Sequence, residues 1–128
     1  MTEANLEAMA AEIARQEGFG PPDARPTRNH NPGDLRNWPG YPADAEGFSI
    51  FPDAATGWAK LREDLTNHAA RWPGQTLLAF IAGNGVLAPP SAVWPGYAPA
   101  SDSNDPVSYA AGLASALGVT PETRFNEL

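Results

Sequence analysis

One carboxylate in this sequence stands where general acid chemistry is favoured. Residues 6–18, LEAMAAEIARQEG, set Leu6, Met9 and Ile13 at helical spacing among good helix formers. At about 100° per residue these three share one narrow arc, and Glu17 lies just outside it, four residues after Ile13. Gly18 predicts that the helix stops there. An acid in the last turn feels the negative end of the helix dipole, and apolar neighbours penalise its charge. Both effects favour the protonated form, which a proton donor working near neutral pH requires. Glu7 and Glu12 point elsewhere and are expected to be solvated. The alternative for Glu17 is a surface acid paired with Arg15 or Arg28.

Other chemistries are poorly supplied. With no Cys there is neither a thiolate nucleophile nor a thiolate metal site. His30 and His68 with Asp34 lack ligand spacing, so no metal site is expected. A serine nucleophile elbow and a phosphate-binding glycine loop are both missing, and no cofactor is expected. Four further acids, Asp34, Glu46, Asp102 and Asp105, are candidates for a second carboxylate. Asp102 and Asp105 already serve well as loop or cap residues. Arg28 and Arg36 are either orienting charges or solvated ones.

A chain of 128 residues, 42% hydrophobic with four Trp, is expected to form a single globular domain over residues 1–128. Its net charge of −7 argues against nucleic acid or an anionic membrane as the main partner. An uncharged or mixed-charge polymer such as a glycan is compatible with it. The absence of a long apolar run predicts no membrane insertion. The start, MTEANLEAMA, lacks the pattern of a signal peptide, so synthesis in the cytoplasm is expected, with delivery in a phage particle, at lysis or by another export route. A monomer is expected.

Past Gly18, the stretch 19–36 is rich in Pro and turn formers and is expected to be irregular. Pro32-Gly33 suits the centre of a type II turn. Leu35 and Arg36 could begin a strand, and residues 47–51, GFSIF, read as a strand or hairpin arm ended by Pro52. Asp53 is a good N-cap for a helix carrying Trp58, Leu61 and Leu65 and running to about residue 68 or 70. Gly57 weakens that helix by about 1 kcal/mol relative to Ala, which suggests close packing there. Thr76 caps a short helix over residues 77–82. Residues 83–103 form a long Pro-rich stretch suited to lining a substrate site. Asp105 caps the last main helix, with Pro106 at its first position, Val107, Ala111, Leu113, Ala114 and Leu117 as apolar contacts, and Gly118 at its end.

Four stretches, in order, carry a resemblance. They are residues 13–19 (IARQEGF), 28–36 (RNHNPGDLR), 47–58 (GFSIFPDAATGW), and Tyr97-Ala-Pro with residues 103–109 (SNDPVSY). Together they resemble small lysozyme-like proteins of bacteria and phages, related to lytic transglycosylases and peptidoglycan glucosaminidases. The resemblance spans Ile13 to about Val119. It implies a mainly α (α+β) lysozyme-like fold, with four to five helices and a small β-hairpin between the first and second. It also implies that Glu17 is the catalytic acid and that Tyr97 and Tyr109 border the cleft. The family's loop commonly reads Asn-Asn-Asn-Pro-Gly-Asn-Leu-Arg, and here His30 and Asp34 replace two of those Asn.

On this reading the partner is the peptidoglycan glycan strand, and the protein acts on the cell wall. Cleavage needs protonation of the leaving oxygen and stabilisation of an oxocarbenium-like centre. Glu17 supplies the proton and then acts as base, toward the sugar's 6-hydroxyl or toward water. The substrate's acetamido group can replace a second carboxylate. Tyr109 is a second catalytic candidate or a core tyrosine. Candidate substrate contacts are Asn31, Asp34, Trp38, Tyr97 and Trp94. Asn31 equally suits holding its loop, Tyr97 buttressing a loop, and Trp38, Trp94 and Tyr41 packing on prolines. The alternative function is a non-catalytic glycan-binding or virion module that keeps the fold, and a third is a protein-interaction module.

Overall fold

The computed structural model describes residues 1–84 and 93–128. The described chain is mainly helical, with α1 (Glu3–Glu17), α2 (Arg25–Arg28), α3 (Ala54–Arg71), α4 (Leu77–Ala82) and α5 (Pro106–Leu117). Short 3-10 turns occupy Ala100–Asp102 and Phe125–Glu127. No helix among the described residues is long and apolar enough to cross a membrane. The expected stretch over residues 83–103 is described only in part, because residues 85–92 lie outside the described chain.

The chain divides into two compact units, one of residues 6–68 and one of residues 1–5 with 69–128. In the first, Met9, Ile13, Leu61 and Leu65 are fully enclosed, as their helical spacing predicts. Asp53 caps α3 by accepting the Thr56 N–H at 2.8 Å. Gly57 also behaves as expected. A Cβ at that position would lie 1.9 Å from the His30 carbonyl oxygen and 2.9 Å from Pro32 Cδ, so only glycine lets the 30–32 loop touch the α3 backbone.

Two expectations fail in this unit. Arg25–Arg28 forms one helical turn inside the stretch expected to be irregular. Pro26 sits at its start, where a missing N–H costs nothing. No β-hairpin forms. Residues 47–51 make only the isolated antiparallel bridges Arg36↔Phe48 and Ala43↔Ser49. Pro39 and Pro42 remove donors, and left-handed Asn37 and Gly47 turn the chain before a ladder can extend.

In the second unit α4 packs against α5. Six residues make a marginal helix, so its ends depend on tertiary partners. Thr76 Oγ1 accepts the Ala79 N–H at 3.1 Å, and the Leu77 and Leu78 amides donate to the carbonyls of Thr123 and Pro121. At the other end the Phe80 and Ile81 carbonyls accept the Tyr97 and Ala98 amides. Gly96, at φ 102°, makes this approach possible, because a Cβ there would fall 2.5 Å from the Ile81 carbonyl oxygen. Helix α5 starts and stops as expected, with the Asp105 side chain accepting the Ser108 N–H and Gly118 left-handed at φ 69°. Its buried face differs. Tyr109, Ala110, Leu113 and Ala114 are inside, whereas Ala111 is exposed and Val107 is 66% exposed. The helix is apolar almost all round, so periodicity alone does not choose its inner face.

Candidate functional site

Glu17 is the last residue of α1 and is half-buried. The chain leaves through a Schellman turn. Gly18, at φ 86°, donates its N–H to the Arg15 carbonyl at 3.2 Å, and Phe19 donates to the Ala14 carbonyl at 3.0 Å. The Phe19 ring then meets Trp58 of α3 edge-on, with centroids 5.6 Å apart at 80°. Backbone bonds and an aromatic contact thus fix where the Glu17 carboxylate begins.

The arginines considered beside Glu17 each make contacts of their own. Arg15 pairs with Glu12, donating from Nε at 2.9 Å. Glu12 is therefore not the solvated acid expected, since its side chain is only 11% exposed and the Arg15 bond holds its carboxyl below the usual range. Arg28 Nη1 donates to the Asp23 carbonyl at 2.8 Å. Arg36 Nη1 donates to the Glu46 carbonyl at 3.1 Å, and its guanidinium lies 4.1 Å from the Phe48 ring centroid.

The loop after α2 is built around Asn31, which is fully buried. Its Nδ2 donates to the carbonyls of Leu35 and Ser49, both at 2.9 Å, and its Oδ1 accepts the Leu35 N–H at 2.9 Å. This side chain replaces missing backbone pairing and has no surface to offer a ligand. The Pro32-Gly33 turn closes with the Asp34 N–H on the Asn31 carbonyl at 3.0 Å, and left-handed φ falls on His30 and Asp34. The Asp34 side chain is 5% exposed and takes a two-pronged bond from Arg25, Nη2 to Oδ2 at 2.6 Å and Nε to Oδ1 at 3.2 Å. Arg25 also reaches Glu46 at 2.9 Å and stacks 3.5 Å from the Phe48 ring centroid. Asp34 and Glu46 are thus partners of one arginine, and Asn31 and Asp34 hold the loop from within.

Trp38 keeps surface. It is half-buried, anchored by its N–H on Ser49 Oγ at 2.8 Å. Lys60 Nζ lies 5.5 Å from its ring centroid and 5.9 Å from that of Tyr41, which meets Phe51 edge-on at 5.0 Å. A cation over two rings forms a mixed polar and aromatic patch.

Sequence reasoning missed Asp64. It is half-buried on α3, and its carboxylate has no hydrogen-bond or ion-pair partner among the described residues. Burial, helped by the neighbouring Glu63 charge, pushes its pKa from 3.8 up to about 6. The available signal was position. Asp64 follows Gly57 by seven residues and Leu61 by three, which sets it at the edge of the buried stripe. An acid titrating there can hold or release a proton near neutral pH.

The second unit holds the remaining candidates. Trp94 stacks on Phe80, with centroids 6.2 Å apart at 9°, and its Nε1 donates to the Phe80 carbonyl at 2.7 Å. Tyr97 packs on the same ring at 5.3 Å and on Tyr109 at 6.5 Å. Trp94 and Tyr97 are half-buried, whereas Tyr109 is 5% exposed and sits on the inner face of α5. The two tyrosines do come together, with Tyr109 at a core position behind Tyr97. Asp105 is spent on capping α5, and Asp102 lies in the turn before it. Among the described residues no group of three or more His, Asp or Glu is placed to hold a metal ion.

Comparison with protein families, with characterised proteins and with solved structures finds no match for this chain.

Proposed function

We propose that this protein cleaves peptidoglycan glycan strands, with Glu17 as a single general acid and base on a lysozyme-like fold. The observation that carries the reading is the placement of Glu17. It is half-buried at the end of α1, where a Schellman turn closes the backbone. The order of the four motifs around it supports the same reading.

In this mechanism Glu17 donates its proton to the leaving glycosidic oxygen as the oxocarbenium-like centre develops. The carboxylate then takes a proton from the sugar's 6-hydroxyl, giving an anhydro end, or from water, giving a reducing end. The carboxylates first considered as a second catalytic group support another assignment. Asp34 and Glu46 bind Arg25, and Asp105 caps a helix, which supports the reading in which the substrate's acetamido group stabilises the centre. Trp38 is the aromatic surface that the first unit, which holds Glu17, offers to sugar rings; in the second unit Trp94 and Tyr97 keep surface, and buried Tyr109 packs on Tyr97. The protein acts on the cell wall as a monomer in this proposal.

The test is turbidity clearing of purified peptidoglycan, with mass spectrometry of the released fragments. Wild-type protein is expected to clear, and Glu17→Gln to abolish clearing with an unchanged far-UV spectrum. Binding without any released fragment from wild-type protein would replace this reading with that of a glycan-binding module.

A further inference from the structure

The second unit contains a pocket of about 410 Å³, lined by Arg71, Trp72, Pro73, Thr76, Ala79 and Asn84 among others. Its size falls at the small end of ligand sites. Two of its polar oxygens are already engaged. Thr76 Oγ1 accepts the Ala79 N–H at 3.1 Å, and Asn84 Oδ1 accepts the Trp94 N–H at 2.7 Å. Arg71 differs from both. It is exposed, its guanidinium lies 5.7 Å from the Trp72 ring centroid, and it has no hydrogen-bond or ion-pair partner among the described residues. Arg71 thus makes no ion pair among the described residues and lines a concave, mainly apolar wall.

We propose that this pocket binds the C-terminal carboxylate of a short apolar peptide. A guanidinium fork matches one planar carboxylate through two parallel hydrogen bonds. Trp72, Pro73 and Ala79 form a floor for small apolar side chains rather than for a hydroxyl-rich sugar. A sugar would need several donors and acceptors, but the lining's Gln75 is buried and the Thr76 and Asn84 oxygens are in use. A single cation in a strongly acidic protein also favours a ligand of one negative charge over a multiply charged phosphate. The inference stands apart from the Glu17 chemistry and uses none of its residues.

The test titrates the ¹⁵N-labelled full chain with N-acetyl-alanyl-alanine and, separately, with its C-terminal amide. The expected result is saturable shifts of the amides of residues 72 and 74–79 with the acid, and binding at least about tenfold weaker with the amide. Arg71→Gln, on an exposed side chain, is expected to keep the wild-type spectrum and lose the same factor, with Arg71→Lys recovering part of it. Equal binding of acid and amide, no saturable shift with the acid, or undiminished binding by Arg71→Gln would overturn the proposal.

Discussion

Asp64→Asn gives the most direct test of how burial acts in this protein. The carboxyl rises from 3.8 to about 6 because its charged form is desolvated and sits beside Glu63. Between those values the folded state binds more protons than the unfolded state, so stability falls as pH rises through this window. The cost is absent below about pH 4 and complete above about pH 7. A shift of roughly two units at about 1.4 kcal/mol each sets a ceiling of about 3 kcal/mol. Water reaches the half-buried side chain, so about 1–3 kcal/mol is the expected range. Asn preserves the shape and removes the charge. Urea unfolding followed by tryptophan fluorescence should therefore show Asp64→Asn more stable than wild type by that amount at about pH 7.5, and nearly equal at about pH 4. Glu12, Asp44, Asp53 and Asp105 titrate the opposite way, their carboxyls being held low by hydrogen bonds that weaken as pH falls. Subtracting wild type from variant at each pH cancels them. If Asp64→Asn is less stable at both pH values, or if the difference does not change with pH, the desolvation argument is wrong.

Further outcomes follow from the same geometry. Gly57→Ala would drive a methyl into the His30 carbonyl, and the loss, about 1–3 kcal/mol from overpacking, should outweigh the roughly 1 kcal/mol gain in helix propensity; thermal melts by circular dichroism read the sign. Asn31→Ala leaves the Leu35 N–H and the Ser49 carbonyl without their partner, while the Leu35 carbonyl keeps the Ser49 N–H; the loss should cost about 2–4 kcal/mol in urea unfolding and loosen the loop before Trp38. A neutral effect there would mean that the side chain does not hold the loop. Glu17→Gln should abolish peptidoglycan clearing at unchanged stability, and Arg71→Gln should weaken binding of the alanyl peptide without affecting clearing.

Features written into a few consecutive residues were legible in advance. The Thr76 and Asp105 caps, the stop at Gly18 and the close approach at Gly57 each depend on one side chain, or its absence, within a turn of backbone. The same local reading failed where the deciding partner lies far along the chain. Arg25 binds Asp34 and Glu46, respectively nine and twenty-one residues away, and that pairing turned two candidate catalytic acids into ties. Asn31 could be read as a binding or a holding residue until Ser49 was found against its amide. Ala-rich α5 offered several possible inner faces, and only the covering residues selected Tyr109 over Val107.

The sequence by itself determined where α3, α4 and α5 begin and where α1 and α5 end, because caps, glycines and prolines act through hydrogen bonds and φ angles that span a few residues. Only the tertiary structure decided which acids are paired, which are desolvated and which aromatic rings keep surface. Asp64 shows why. Its residue type and spacing are those of an ordinary helical acid, and its raised pKa comes from what excludes water around it, a property of the packed chain rather than of any local run of residues.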